Sequence, residues 1–212
     1  MSQFNNVNFA PFVGANYEKG INGKKILILG ESHYWGEEIY ENTYEDLKNG
    51  EYLDFTDDVI NAYISYQKGE REHSPWMNSF TKFAKEFYNW EEDKVDLVEF
   101  WQSVAFYNYV QFPITAVRTS PTQEEFEQSE QAFYEVIEKY QPDVIIAWSW
   151  RLWGNMPSTG RFGEPSSVNR GKGIYYYSVN GREVPIIAVA HPSAPTFCYS
   201  AYQDIQELLN SK

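Results

Sequence analysis

The segment Lys24–Gly30 reads Lys-Lys-Ile-Leu-Ile-Leu-Gly and contains the clearest structural signal in the chain. A continuous run of four branched apolar residues that ends at a glycine is typical of a strand buried on both faces of a parallel sheet. The segment therefore predicts a central strand of an α/β fold. The loop that follows, Glu31–Glu38, begins with a carboxylate, a hydroxyl and an imidazole, which are side chains that can take part in chemistry.

Three more apolar runs predict strands in the same sheet. They are Val104–Val110, Asp143–Trp148 and Glu183–Ala190. Helical stretches separate these runs, so the connections are crossovers, and crossovers join parallel strands. A further strand, Tyr175–Val179, precedes Asn180-Gly181, the strongest short hairpin signal, and is predicted to pair antiparallel with the start of the last run.

Helical patterns fill the segments between the predicted strands. Such patterns occur within residues 44–90, from Pro121 to Tyr140, and from Ser200 to Leu209. These helices are expected to cover both faces of a mainly parallel sheet. The segment Arg151–Gly173, which is rich in Gly, Ser and Pro, is predicted to form a long loop over the site.

The composition limits the classes of protein to which the chain can belong. With 212 residues, of which 42% are hydrophobic and 18% aromatic, residues 1–212 are expected to form one folded domain. The formal charge of −13 opposes tight binding to duplex nucleic acid, which depends on Lys and Arg. A single cysteine, Cys198, excludes an internal disulfide and a cysteine-based metal set. Without a leader-like or membrane-spanning pattern, we expect a cytoplasmic protein that has no membrane partner.

Polar residues that suit a binding site follow each of the four predicted parallel strands. In α/β sheets, ligands bind beyond the carboxyl ends of the strands. The segments at these ends are Gly30–Trp35, Asn108, Ser149–Arg151 and Ala190–Pro195. Two of the three histidines, His33 and His191, lie there, whereas His73 lies in a charged stretch typical of surface. The sequence therefore predicts a site beyond the carboxyl ends of the parallel strands, which we call this edge of the sheet.

The pairing of Gly30-Glu31 after the first strand with His191-Pro192-Ser193 after the last one resembles the uracil-DNA glycosylase superfamily. The resemblance covers roughly residues 24–209. It implies a three-layer αβα sandwich with a central four-stranded, mainly parallel sheet. It implies no cofactor and no metal ion, and it leaves the oligomeric state open.

The resemblance also implies two catalytic residues. Glycosidic hydrolysis needs a carboxylate that orients water or stabilises a positive sugar, and a donor that stabilises negative charge on the departing base. In the family the first loop positions the water, a place that Glu31 matches. The histidine of the last loop stabilises the base, which His191 matches.

Six further residues are implied as substrate contacts: Ser32, His33, Tyr34, Trp35, Asn108 and Ser193. An aromatic residue in the first loop stacks on the base in this family, a place that Tyr34 or Trp35 could fill. An Asn at the end of the second strand reads the pyrimidine edge, which Asn108 matches, and Ser193 matches a phosphate contact.

The sequence also departs from the family pattern. Ser32 stands where the strongest catalysts have Asp, and His33 stands where Pro is common. The hydrophobic wedge that follows His-Pro-Ser in many members is replaced by Ala194-Pro195, and the four cysteines of the iron–sulfur branch are missing.

Three functions stay open from the sequence. The first is hydrolysis of the N-glycosidic bond of a uracil-type base in DNA or in a smaller nucleobase-containing ligand. The second is a serine-dependent hydrolase in which Ser32 is activated by His191 or His33, although the GxSxG elbow is missing. The third is a binding module of the same fold without catalysis.

Cations in the second half of the chain form either a positive face or scattered surface charge: Arg118, Arg151, Arg161, Arg170, Lys172 and Arg182.

Overall fold

The computed structural model describes residues 4–34, 43–91, 95–114, 119–158, 161–162, 173–197 and 201–210. Within these ranges the chain has an α/β fold built on one mixed sheet of seven strands. The strands are β1 (Phe12–Val13), β2 (Ile26–Gly30), β3 (Ala105–Asn108), β4 (Val144–Trp148), β5 (Arg161–Phe162), β6 (Tyr175–Val179) and β7 (Arg182–Val189).

The sheet order is β1-β3-β2-β4-β7-β6-β5, and its centre is parallel. Strand β2 pairs in parallel with β3 and β4, and β4 pairs in parallel with β7. Strands β1, β5 and β6 are antiparallel to their neighbours. The four predicted parallel strands are therefore confirmed. The predicted four-stranded sheet is extended by β6, the other strand of the predicted hairpin, and by β1 and β5, which have two residues each and are too short to produce a pattern in the sequence.

The hairpin between β6 and β7 confirms the predicted antiparallel pair. Val179 lies opposite Arg182, and the register runs on to Tyr175 opposite Ile186. Asn180 and Gly181 both have positive φ, 50° and 76°, as a two-residue type I′ turn requires.

Eight helices lie in the described ranges. They are α1 (Thr43–Lys48), α2 (Phe55–Gln67), α3 (Met77–Phe87), α4 (Leu97–Gln102), α5 (Gln123–Gln128), α6 (Glu130–Tyr140), α7 (Trp150–Asn155) and α8 (Ala201–Asn210). No helix among the described residues is both long and apolar enough to span a bilayer.

Two helix predictions need correction. The single helix expected from Pro121 to Tyr140 is divided at Ser129, whose hydroxyl donates to the Glu125 carbonyl (2.6 Å) and accepts from the Gln111 amide (3.0 Å). The expected loop from residue 151 to 173 contains most of α7 and all of β5. Helix α7 forms because the Ser149 side chain caps the Leu152 amide at 3.1 Å.

Helices pack on both faces of the sheet, as predicted. Alternate residues of β2 point to opposite faces, so Ile26 and Ile28 join the core under α2, α3, α4 and α8, whereas Leu27 and Leu29 join the core under α5, α6 and α7. This two-sided burial explains why the β2 sequence is uninterrupted in its apolar character. Polar groups at the centre of the sheet therefore reach solvent at the ends of the strands.

Candidate functional site

The residues predicted for the site follow parallel strands that end at one edge of the sheet. Backbone hydrogen bonds join the segments that leave β2 and β3: Tyr109 donates to Gly30 (3.0 Å), Val110 to Glu31 (2.8 Å) and Ile114 to His33 (2.9 Å). On the other side, the Ser149 amide donates to Val189 at 2.9 Å, which joins the ends of β4 and β7. The backbone around this edge is therefore fixed by the sheet itself.

Glu31 is held by Arg151. The guanidinium Nε donates to Oε1 at 2.7 Å and Nη2 donates to Oε2, a two-bond arrangement that fixes both the position and the rotation of the carboxylate. The third guanidinium nitrogen, Nη1, donates to Ser120 Oγ at 2.6 Å. The Glu31 side chain is only 9% exposed, whereas that of Arg151 is 47% exposed. The hydrogen bond with Glu31 is the main cause that raises the pKa of Arg151.

Contacts within its own loop determine which tautomer the His191 ring adopts. The Ser193 amide lies 3.1 Å from His191 Nδ1, and Ser193 Oγ lies 2.7 Å from the same atom. Because a backbone amide can only donate, Nδ1 is the acceptor and the proton of the neutral ring is on Nε2. Burial lowers the pKa of His191, Glu31 raises it and Arg151 lowers it further. The ring is thus a neutral N–H donor at pH 7, within electrostatic reach of both Glu31 and Arg151.

His33 lies beneath the edge and not on its surface. Its ring is 4% exposed and packs edge-on against Phe9 and Phe55, with centroids 5.0 and 4.8 Å away. Nε2 lies 3.0 Å from Thr56 Oγ1, and Nδ1 lies 3.0 Å from Asn108 Nδ2. The same Asn108 nitrogen lies 3.2 Å from Nε2, and because an amide nitrogen can only donate, at least one ring nitrogen of His33 is an acceptor. Burial lowers the pKa of His33 to about 3, which keeps the ring neutral.

Asn108 directs its amide nitrogen at His33. It is 7% exposed, its Nδ2 lies within hydrogen-bond distance of both His33 ring nitrogens, and its Oδ1 lies close to Gly30. A Cβ at residue 30 would lie 2.1 Å from Asn108 Oδ1 and 2.8 Å from the Phe106 ring. Glycine at the end of β2 is therefore what allows the Asn108 side chain to lie where it does.

The other predicted contacts occupy different environments. Tyr34 is 45% exposed, forms a parallel bridge with Ile114 and lies within electrostatic reach of Arg151. The Ser32 hydroxyl is buried and makes no hydrogen bond in the part of the chain that the structure describes, so no imidazole activates it there. Ser193 is exposed and bound to His191. Trp35 lies outside the described residues.

Arg151 is the site residue whose role the sequence did not reveal. The sequence placed it among the polar residues that follow the parallel strands, three residues after the end of β4, and also among the cations of the second half of the chain, but gave it no role. Its contact with Glu31 spans 120 residues of sequence. A positional signal therefore existed, but the partner could be identified only from the fold.

The arrangement offers acid–base and hydrogen-bonding chemistry. Among the described residues, no group of three or more His, Cys, Asp and Glu side chains is placed to hold a metal ion. The edge combines an anchored carboxylate, a neutral imidazole donor, the side-chain amide of Asn108 and an exposed aromatic ring. No protein-family model and no curated protein matches the chain.

Proposed function

We propose that the chain binds a nucleobase at this edge of the sheet and hydrolyses its N-glycosidic bond, as a divergent member of the uracil-DNA glycosylase superfamily with its three-layer αβα architecture. The observation that carries the proposal is the state of His191. It is a neutral ring that accepts at Nδ1 and has its proton on Nε2, within electrostatic reach of the Glu31 carboxylate.

The departing base carries the charge that His191 would stabilise. When the bond between sugar and uracil breaks, the electron pair stays with the base and negative charge builds on its carbonyl oxygen. A fixed N–H donor lowers the energy of that state without the cost of reorganising water. Because burial disfavours the protonated ring, His191 acts as a hydrogen-bond donor and not as a proton donor in this proposal.

Glu31 would act on the sugar side of the bond. Each of its oxygens accepts one hydrogen bond from Arg151, and each carboxylate oxygen has a second lone pair. The carboxylate can therefore still orient the attacking water or stabilise positive charge on the sugar. Tyr34, with its exposed ring, is the described residue that suits stacking on the base.

The charge of the protein favours substrates smaller than a DNA duplex. The net charge of −13 repels a phosphate backbone, and extrusion of a base from a duplex requires a wedge, which Ala194 and Pro195 do not supply. A nucleotide or an unpaired uracil in a single strand needs no such wedge.

The test is base release from uracil-containing substrates. Single-stranded and duplex oligonucleotides and 2′-deoxyuridine 5′-monophosphate are incubated with the protein, and abasic product and free uracil are measured. Glu31→Gln is expected to reduce the rate about 100-fold, because it keeps the shape of the side chain and removes its charge. Glu86→Gln is the matched control, since Glu86 is also buried (3% exposed) but lies in α3, where it binds Trp90 and the Tyr202 amide. Equal rates for wild type and Glu31→Gln, or no release from any substrate, would refute the catalytic part.

One observation favours a second candidate, a binding module without catalysis. Both Glu31 oxygens are occupied by Arg151, which competes with water for the carboxylate. In that case the protein binds 2′-deoxyuridine but releases no uracil, and Glu31→Gln changes neither result. The base-release assay combined with a binding measurement distinguishes the two candidates.

A further inference from the structure

We infer that Arg151 binds an anionic phosphate oxygen of the ligand, and that the ligand is accordingly a nucleotide and not a free base or nucleoside. The inference rests on the proposed function, because it assigns the substrate class of the same site. It concerns a residue to which the resemblance gives no role.

The hydrogen bonds of Arg151 leave part of its guanidinium open. A guanidinium has five N–H donors, and three of those in Arg151 are engaged, by the two Glu31 oxygens and by Ser120 Oγ. Within the part of the chain that the structure describes, one N–H on Nη1 and one on Nη2 have no partner. Donors on neighbouring nitrogens of a planar group suit two oxygens of a single phosphate.

The position of the group agrees with a ligand contact. The Arg151 side chain is 47% exposed although its partner Glu31 is 9% exposed, so the pair presents its cationic member to solvent. Arg151 also lies within electrostatic reach of His191 and of Tyr34, the two residues proposed to contact the base. A phosphate at Arg151 would therefore lie beside the base, as it does within one nucleotide.

Because Glu31 is paired with Arg151, the proposed anion site has little net positive charge. The carboxylate cancels the charge of the guanidinium, and the whole chain is strongly acidic. Directed hydrogen bonds, and not a positive field, must then supply the affinity for phosphate. We expect the site to discriminate between ligands with and without a phosphate, and to bind polyanions without a base poorly.

The experiment compares two ligands that cannot be hydrolysed. In 2′-deoxypseudouridine a carbon–carbon bond joins base and sugar, so its binding and that of its 5′-monophosphate can be measured by calorimetry at constant ionic strength. The monophosphate is expected to bind wild type about tenfold more tightly, an advantage that corresponds to the net contribution of roughly one hydrogen bond to a charged group. A single strand that contains the same nucleotide shows whether the phosphate of a chain is preferred to that of a free nucleotide.

Arg151→Met is expected to abolish the advantage of the monophosphate. Arg182→Met is the matched control, because Arg182 is 46% exposed and paired with Asp143 at 2.8 Å, but lies at the start of β7, at the opposite end of the strand from His191. If Arg151→Met does not fold, the double variant Glu31→Gln/Arg151→Met avoids an unpaired carboxylate and carries the same expectation.

The outcomes separate the two proposals. Equal affinity of wild type for nucleoside and monophosphate, or an advantage that survives in Arg151→Met, overturns the phosphate site while base binding stands. Failure of wild type to bind or cleave any uracil-containing ligand overturns the proposed function and the inference with it. Loss of the advantage in Arg151→Met, and its retention in Arg182→Met, supports the inference.

Discussion

His191→Ala is expected to slow base release about 100-fold or more, the usual effect of removing one fixed donor to a developing anion. The imidazole accepts from the Ser193 amide at Nδ1, its Nε2–H makes no hydrogen bond with the described residues, and alanine leaves no replacement for this donor. Stability should change little, because the ring is only partly buried and lies in a loop. The effect is therefore expected in the rate of the chemical step and not in the amount of folded protein.

Single-turnover release of uracil from the best substrate measures this effect, with His73→Ala as the control, because His73 is an exposed histidine between α2 and α3. Because the pKa of His191 is lowered, the neutral donor persists to lower pH than an ordinary histidine would allow, and the wild-type rate should not follow the titration of a normal imidazole. A wild-type rate in His191→Ala would remove the donor role from the mechanism.

Acid is expected to destabilise the wild type far more than a His33→Gln variant. The pKa of His33 is about 3 in the folded protein and 6.5 in an ordinary histidine, so between these values the unfolded chain binds a proton that the folded protein does not. The free energy of unfolding therefore rises with pH over this window. The stabilisation that His33 contributes is fully present above pH 6.5 and is lost as the pH falls toward 3. At about 1.4 kcal/mol per pKa unit, the difference between 6.5 and about 3 corresponds to a loss on the order of 5 kcal/mol.

Urea unfolding at pH 7 and pH 4 tests this prediction. Glutamine has no titratable ring, so His33→Gln should be less stable than wild type at pH 7, where the contacts with Asn108 and Thr56 are disturbed, but should lose much less stability on acidification. His73→Gln, which replaces an exposed histidine, should behave as wild type does. The same acid sensitivity in His33→Gln and in wild type would mean that another group is responsible.

The sequence predicted the parallel centre of the sheet well, for a physical reason. Strands buried on both faces must be apolar throughout, so β2 and β4 appear as uninterrupted runs, and the turn at Asn180-Gly181 restricts the chain to a hairpin. Strands β1 and β5 have two residues each and leave no periodic pattern. The division between α5 and α6 depends on Ser129, whose hydroxyl bonds to residues of both α5 and the segment after β3.

The site could be predicted as a location but not as a set of contacts. Parallel connections bring Glu31, Asn108 and His191 to one edge whatever the side chains do, so their proximity follows from topology. The pairing of Glu31 with Arg151 depends on how the first turn of α7 is placed after β4, which no local pattern encodes. The burial of His33 between Phe9 and Phe55 likewise depends on residues distant in sequence.

Nuclear magnetic resonance of ¹⁵N-labelled protein titrated with 2′-deoxypseudouridine 5′-monophosphate shows where a nucleobase binds. We predict saturable shifts of the amides of residues 31–34, 108–111, 191, 193 and 194, with the amides at the opposite ends of the strands, near Lys25, Asp143 and Arg182, unchanged. Shifts confined to those opposite ends, or none at millimolar ligand, would show that no nucleobase site lies beyond the carboxyl ends of these strands.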